Sequence, residues 1–248
     1  MIILVCISRV PDTATRVIVG QEGKTIDTQG VKYVMNPYDE FGLEEGLRLK
    51  EKNGGMVTAI TVGPEASTDV LRTALAMGAD KAVLIKSEGT HDSWFVGKNI
   101  AKYTKEINPD LILLGRQSVD YDSFQMPSLL GELLGMPSIS VVSKLEITDG
   151  KVKAERDIEG GKEIVETTLP CLISCQKGIN EPRYPKLPDI MKAKSKPIDM
   201  REPVMTEPMI TVLDMSLPLK SRVGKILGDT EADVDELVRL LHEEAKII

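Results

Sequence analysis

Three cysteines and two histidines in 248 residues leave little material for thiol, imidazole or metal chemistry. Cys6, Cys171 and Cys175 lie in or beside apolar runs, at spacings that match neither a disulfide framework nor a zinc site, so they read as reduced core residues. His91 precedes a helix cap at Asp92 or Ser93 and His242 falls in a terminal helix. Neither has a Ser, Cys or carboxylate system beside it, and both read as solvated surface residues. Positive charge is not in excess either: 31 Lys and Arg against 38 Asp and Glu give a net charge of −7, which excludes a nucleic-acid footprint over the whole surface. No apolar run approaches the ~18 residues that span a bilayer, and the chain opens on IILVCIS without a basic segment or cleavage site. Membrane insertion and export are therefore not expected, and the cytoplasm is the default location. A GxxxxGK[ST] loop is missing, as is a GxGxxG after the first strand.

What is present alternates. Short β-rich runs at 2–8, 56–62, 81–85, 111–115 and 138–142 are separated by helical patterns at 37–52, 66–77, 92–107 and 123–134. Several of the strands are apolar on both faces, as buried parallel strands are. The predicted fold class is α/β, a doubly wound, mostly parallel and Rossmann-like sheet. Asn36 is placed as the N-cap of the 37–52 helix, with Pro37 at its first position and Asp39 and Glu40 at its positive end.

Beyond Ser143 the pattern changes. Asp149-Gly150 stands between alternating runs and reads as a hairpin, and Glu159-Gly160-Gly161 turns the chain again, so an antiparallel annex extends the sheet. CLISC at 171–175 returns to the core. Residues 1–178 then form the nucleotide-binding domain with its annex. Residues 179–196 form a protruding arm, in which Pro182, Pro185 and Pro188 surround Leu187 and exclude regular helix or central strand over 181–187. Residues 197–248 are expected to be extended chain lying on another surface, followed by an amphipathic helix whose stripe is Val234, Leu237, Val238, Leu241 and Ala245.

In an open α/β sheet ligands bind outside the carboxyl ends of the strands. Four loops are expected there, 8–13, 34–40, 62–67 and 115–125, and together they suggest a nucleotide crevice. The last enters a helix through Ser123 to Gln125, where free N–H groups suit a phosphate. It offers binding without hydrolysis, because no lysine stands in the loop to follow a transferring phosphoryl group. Asp120 and Asp122 read as caps of that helix rather than as a metal or acid–base pair.

VPDT at 10–13, MNPYDEFGLEEGLRLKE at 35–51, VGPEAS with LRTALAMGAD, LGRQSVDYDSFQ at 114–125 and NEPRYPKLPDIMKAK at 180–194 are similar to the beta subunits of electron transfer flavoproteins. The resemblance implies a heterodimer with an alpha subunit that supplies most of the site of a redox-active FAD. It implies a structural AMP in the beta subunit's own crevice, in contact with Cys6, Asn36, Val62, Ser118, Tyr121, Ser123, Phe124, Gln125 and Met126, and places Tyr38 near the shared flavin. The arm would dock acyl-CoA or related dehydrogenases, with Leu187 as anchor beside Pro188, Ile190 and Met191. Electrons would pass on to a quinone reductase or other acceptor.

The chain departs from the family at Tyr121, Phe124 and Met126, whose bulk would narrow the crevice. Features of the bifurcating branch, which holds a second FAD where others hold AMP, are also present. AMP is preferred because a narrow crevice admits a mononucleotide more easily than an isoalloxazine. A stand-alone adenine-nucleotide sensor would share the fold but have no use for the arm.

Overall fold

The computed structural model describes residues 1–218 and 224–248. The chain runs β1 (Ile2–Cys6), β2 (Arg9–Pro11), β3 (Tyr33–Met35), α1 (Pro37–Asn53), β4 (Met56–Gly63), α2 (Thr68–Met77), β5 (Lys81–Lys86), α3 (Ser93–Ile107), β6 (Leu111–Gly115) and α4 (Met126–Leu134). It continues through β7 (Ser138–Thr148), β8 (Lys151–Ile158), β9 (Gly161–Thr168), β10 (Cys171–Cys175), α5 (Leu187–Ser195), β11 (Asp199–Arg201) and α6 (Glu231–Arg239). The central sheet is ordered β11-β5-β4-β1-β6-β10-β7-β8-β9, parallel as far as β7 and antiparallel beyond it. This is the expected doubly wound α/β sheet with its annex.

Alternation along the strands builds two cores. Ile3 and Val5 of β1 join Leu43 and Leu47 of α1 and Leu71 and Leu75 of α2 on one face. Leu4 and Cys6 join Ile100 of α3 and Leu130 of α4 on the other. All three cysteines are buried and free. Helix α1 sits close on the strands because it presents Gly42 and Gly46. A Cβ at Gly42 would lie 3.3 Å from the Leu114 backbone, and one at Gly46 would lie 3.2 Å from Val5.

The annex forms where the turn residues require it. Asp149 and Gly150 both have positive φ, the geometry of a two-residue hairpin, and Gly160 turns β8 into β9. The run at 138–142 is longer than expected. It continues as one strand through a bulge near Val141, so β7 pairs parallel with β10 at one end and antiparallel with β8 at the other.

Two expectations for the C-terminal third are corrected. The arm is extended over 181–186, but it then forms α5, with Pro188 in the first turn where its missing N–H costs nothing. Ala193 of α5 is buried against α2, so the second half of the arm is docked on its own domain. The segment after Pro197 also starts on its own domain. β11 extends the sheet beside β5, Asn99 exchanges two hydrogen bonds with the Val204 backbone, and Asp92 accepts from the amides of Met209 and Ile210. Far along the chain, Thr230 and Asp233 form a capping box that starts α6. No residue of α6 is buried, and Val234, Leu237 and Val238 are exposed. Residues 219–223 of the expected tail lie outside the described residues.

Candidate functional site

The strand order places the topological switch between β1 and β6. From β1 the chain steps outward to β4 and β5, then returns to β6 on the other side. The loops leaving the carboxyl ends of these two strands therefore part there and leave a crevice.

Two side chains from the start of α1 brace it. The Asp39 carboxylate accepts the Ser8 amide at 2.7 Å and the Gly115 amide at 2.8 Å, tying the end of β1 to the end of β6. The side-chain amide of Asn36 donates to the Gln117 carbonyl at 2.8 Å and accepts from the Val119 amide at 3.2 Å. Asn36 stands at the N-cap of α1 as expected, but it is wholly buried and its side chain makes no cap bond: it holds the neighbouring loop instead. Asp39 was expected only to complement the helix dipole. Burial pushes its carboxyl up to about 7 against the opposing pull of the Gly115 and Ser8 amides. Burial, with the Asp39 charge adding to it, also raises the Cys6 thiol, which is inert packing at the end of β1.

The remaining predicted residues fall around this brace. Tyr38 lies in the first turn of α1, with the Arg116 guanidinium 4.8 Å from its ring centre. The same guanidinium lies 4.9 Å from the ring of Phe124, so Arg116 links Tyr38 to the 115–125 loop. Val62 is near the carboxyl end of β4, two residues beyond the partner of Cys6. Arg9 of β2 pairs with Asp69 of α2 at 2.9 Å and covers the Tyr33 ring of β3. The Ser118 carbonyl accepts the Asp122 amide, and Gln125 donates to Ser93 Oγ on α3. Met126 is half-buried against the second core.

Tyr121 and Phe124 keep 60% and 44% of their surface exposed, with the Phe124 ring beside Arg116. Two expectations change. Asp120 accepts only from the neighbouring Tyr121 amide among the described residues, and the N-cap position of α4 is Gln125, without a side-chain cap, so neither aspartate caps it. His91 is not simply solvated: its Nε2 is 2.7 Å from Ser87 Oγ and its ring stacks on Phe95.

The crevice keeps unused hydrogen-bonding capacity. Arg116 Nε and Gln117 Oε1 are buried without a partner among the described residues, and the amides of residues 123–126 donate to nothing there. Donors around one acceptor suit a phosphorylated nucleotide with hydroxyl groups to share. Arg116 and Gln117 were not singled out from the sequence; a polar pair directly following an apolar strand at the switch point was the available signal.

On the other flank of α1 the arm leaves the domain. Tyr184, Leu187 and Met191 are 94%, 72% and 57% exposed, and Ile190 lies beside them at 38%. Exposed apolar side chains like these, Tyr184 on the extended stretch and the other three on the docked helix, suit a partner surface.

An electron transfer flavoprotein domain matches residues 23–204. The chain belongs to the family of electron transfer flavoprotein beta subunits. It is 43% identical over 259 residues to the electron transfer flavoprotein subunit beta of Bacillus subtilis (strain 168), with both chains fully covered. The same subunit of Bradyrhizobium diazoefficiens is 38% identical, again over the whole of both chains. The mitochondrial subunit beta of Oryza sativa subsp. japonica is also 38% identical at full coverage. In this electron transfer flavoprotein beta chain Asn36, Asp39, the 115–125 loop and the arm fall inside the matched residues, whereas β1 and Ser8 precede them. No helix among the described residues is long and apolar enough to cross a membrane.

Proposed function

We propose that this chain pairs with an alpha subunit to form a cytoplasmic electron transfer flavoprotein, shares its FAD, and holds an AMP in its own crevice. The assembly would carry electrons from acyl-CoA or related dehydrogenases to a quinone reductase or other acceptor. The observation that carries this reading is the braced crevice: Asp39 and Asn36 fix three loop segments at the switch point and leave Arg116 Nε, Gln117 Oε1 and the 123–126 amides unused. Those amides and Arg116 would hold the phosphate, with Ser118, Ser123 and Gln125 supplying further polar contacts and Cys6, Val62 and Met126 the apolar walls. Tyr38 would stand against the shared flavin.

When bound, the flavin supplies the redox chemistry, and the protein's part is to hold, orient and shield it. That division explains why no acid–base triad is needed in this chain. Leu187, with Pro188, Ile190 and Met191, would enter a dehydrogenase pocket, where a buried apolar anchor dominates the affinity. The exposed stripe of α6 would pack on the alpha subunit.

Co-expression tests the assignment. A yellow heterodimer obtained only with an alpha subunit supports it; a stable colourless homodimer that binds ATP by itself would show a nucleotide sensor instead.

A further inference from the structure

Leu187 stands at the end of a proline-rich tether, yet the tether is clamped. Arg183 lies within it, between Pro182 and Pro185, and reaches back to α1. Its Nε donates to Glu44 Oε2 at 2.8 Å, one terminal nitrogen donates to Glu44 Oε1 at 3.0 Å, and its own backbone amide meets Glu44 Oε2 at 3.2 Å. The guanidinium also grips Glu51, at 2.5 and 3.1 Å. Arg48 completes the knot, donating to Glu44 at 2.8 Å and to the Glu181 carbonyl at 3.3 Å. Next to it the Asn180 side chain donates to Glu45 and to the Phe41 carbonyl.

The knot differs from an ordinary surface ion pair. The Glu44 side chain is only 3% exposed, whereas Arg183 keeps 34% of its surface. A buried carboxylate that accepts from two guanidinium groups and an amide forms short, charge-assisted bonds with little screening. Burial opposes the charge on Glu44, but Arg183 and Arg48 outweigh it and hold the carboxyl below its usual range. The far end of the arm is fixed separately, by Arg72 donating to the carbonyls of Ala193 and Lys196 and by Lys196 reaching the Ala79 carbonyl.

We propose that the Glu44–Arg183–Glu51 clamp is a positioning device that holds the arm in its docking conformation, so that a dehydrogenase meets Leu187 already ordered. Arg183 acts through Leu187 and need not touch the partner. The proposal rests on the docking role of the arm given above. Its physical content is preorganisation: ordering done in the free protein is not charged to the encounter.

The test uses the assembled heterodimer and a purified acyl-CoA dehydrogenase reduced by its own substrate, with three variants: Arg183→Met, Arg183→Lys and Leu187→Ala. For Arg183→Met the expected result is a KM for the dehydrogenase raised about 2- to 12-fold, the cost of ordering a mobile side chain or short segment on binding. Its kcat at saturation and its flavin content should not change. Amide exchange over 187–195 should accelerate while exchange in β1, β4 and β6 does not. Arg183→Lys keeps the charge without the planar fork and should fall between the wild type and Arg183→Met. Leu187→Ala should raise KM without changing exchange. If Leu187→Ala raises KM and Arg183→Met leaves both KM and exchange unchanged, the clamp is overturned and the docking role stands. If neither variant changes KM, the docking role fails and the clamp proposal fails with it, whatever the exchange shows.

Discussion

The Asp39 carboxylate accepts the Gly115 amide at 2.8 Å across 76 residues of sequence, while its other oxygen accepts the Ser8 amide. One side chain at the start of α1 thus satisfies a backbone donor at the end of each strand flanking the switch point. That carboxylate ties the ends of the two strands together. Replacing it with an amide removes one acceptor and leaves a buried N–H without a partner, at ~1–3 kcal/mol. Asp39→Asn is therefore expected to lower the unfolding free energy of the subunit by ~1–3 kcal/mol, seen as a lower urea midpoint, and to loosen nucleotide retention. An unchanged midpoint would contradict the brace.

The same residue sets a pH dependence. A free aspartate titrates near 3.8, and burial pushes Asp39 up to about 7. Between those values the folded chain keeps a proton that the unfolded chain has released, so the stability Asp39 contributes at low pH is lost as pH rises through about 7. The carboxyl carbon of Asp39, followed by carbon-13 NMR, should titrate with a midpoint near 7. The stability advantage of the wild type over Asp39→Asn should shrink across the same window. A midpoint below the free value would reverse the sign and refute it.

Gly115 has no room for a methyl group. A Cβ there would stand 2.5 Å from Asp39 Oδ1 and 2.6 Å from the Tyr38 backbone, so either the brace or α1 must move. Gly115→Ala should cost ~1–3 kcal/mol by overpacking and reduce bound nucleotide, measured by thermal unfolding and by extraction. Full nucleotide content with native stability would show that this approach is not needed.

Leu187 is 72% exposed, so its truncation should leave folding alone. Leu187→Ala is expected to preserve flavin content and thermal stability while weakening electron transfer from an acyl-CoA dehydrogenase, because loss of a buried anchor costs ~1 to 2 kcal/mol or more. Steady-state reduction of the heterodimer by the dehydrogenase measures this, and unaltered kinetics would exclude the role.

Much of the fold was legible because its signals are local. The apolar runs of β1, β4, β5 and β6, the helical spacing between them and the Asp149-Gly150 turn depend on neighbouring residues alone. The misses depend on residues far away. Helix α5 follows two prolines, carries a third in its first turn, and is held by Arg72, from 121 residues earlier, through the Ala193 carbonyl. β11 is three residues long and exists because the β5 edge is free to pair. Asn36 in Asn-Pro reads as a helix cap, yet its side chain turns to Gln117 and Val119, more than 80 residues on, whose position no spacing rule discloses. For the crevice, the loops were legible from topology, whereas the brace of Asp39 and the link through Arg116 required the strand order to be known. The bulk of Tyr121 and Phe124 was legible but their direction was not: Phe124 adopts positive φ and its ring meets Arg116.

The most direct test is the nucleotide content of the purified heterodimer, obtained by denaturing it and quantifying what is released by chromatography and absorbance. The expected result is one FAD and one AMP per heterodimer, with the AMP lost preferentially in Asp39→Asn. Two FAD and no AMP would contradict the crevice assigned here, and a heterodimer with no flavin would contradict the electron-carrier function itself.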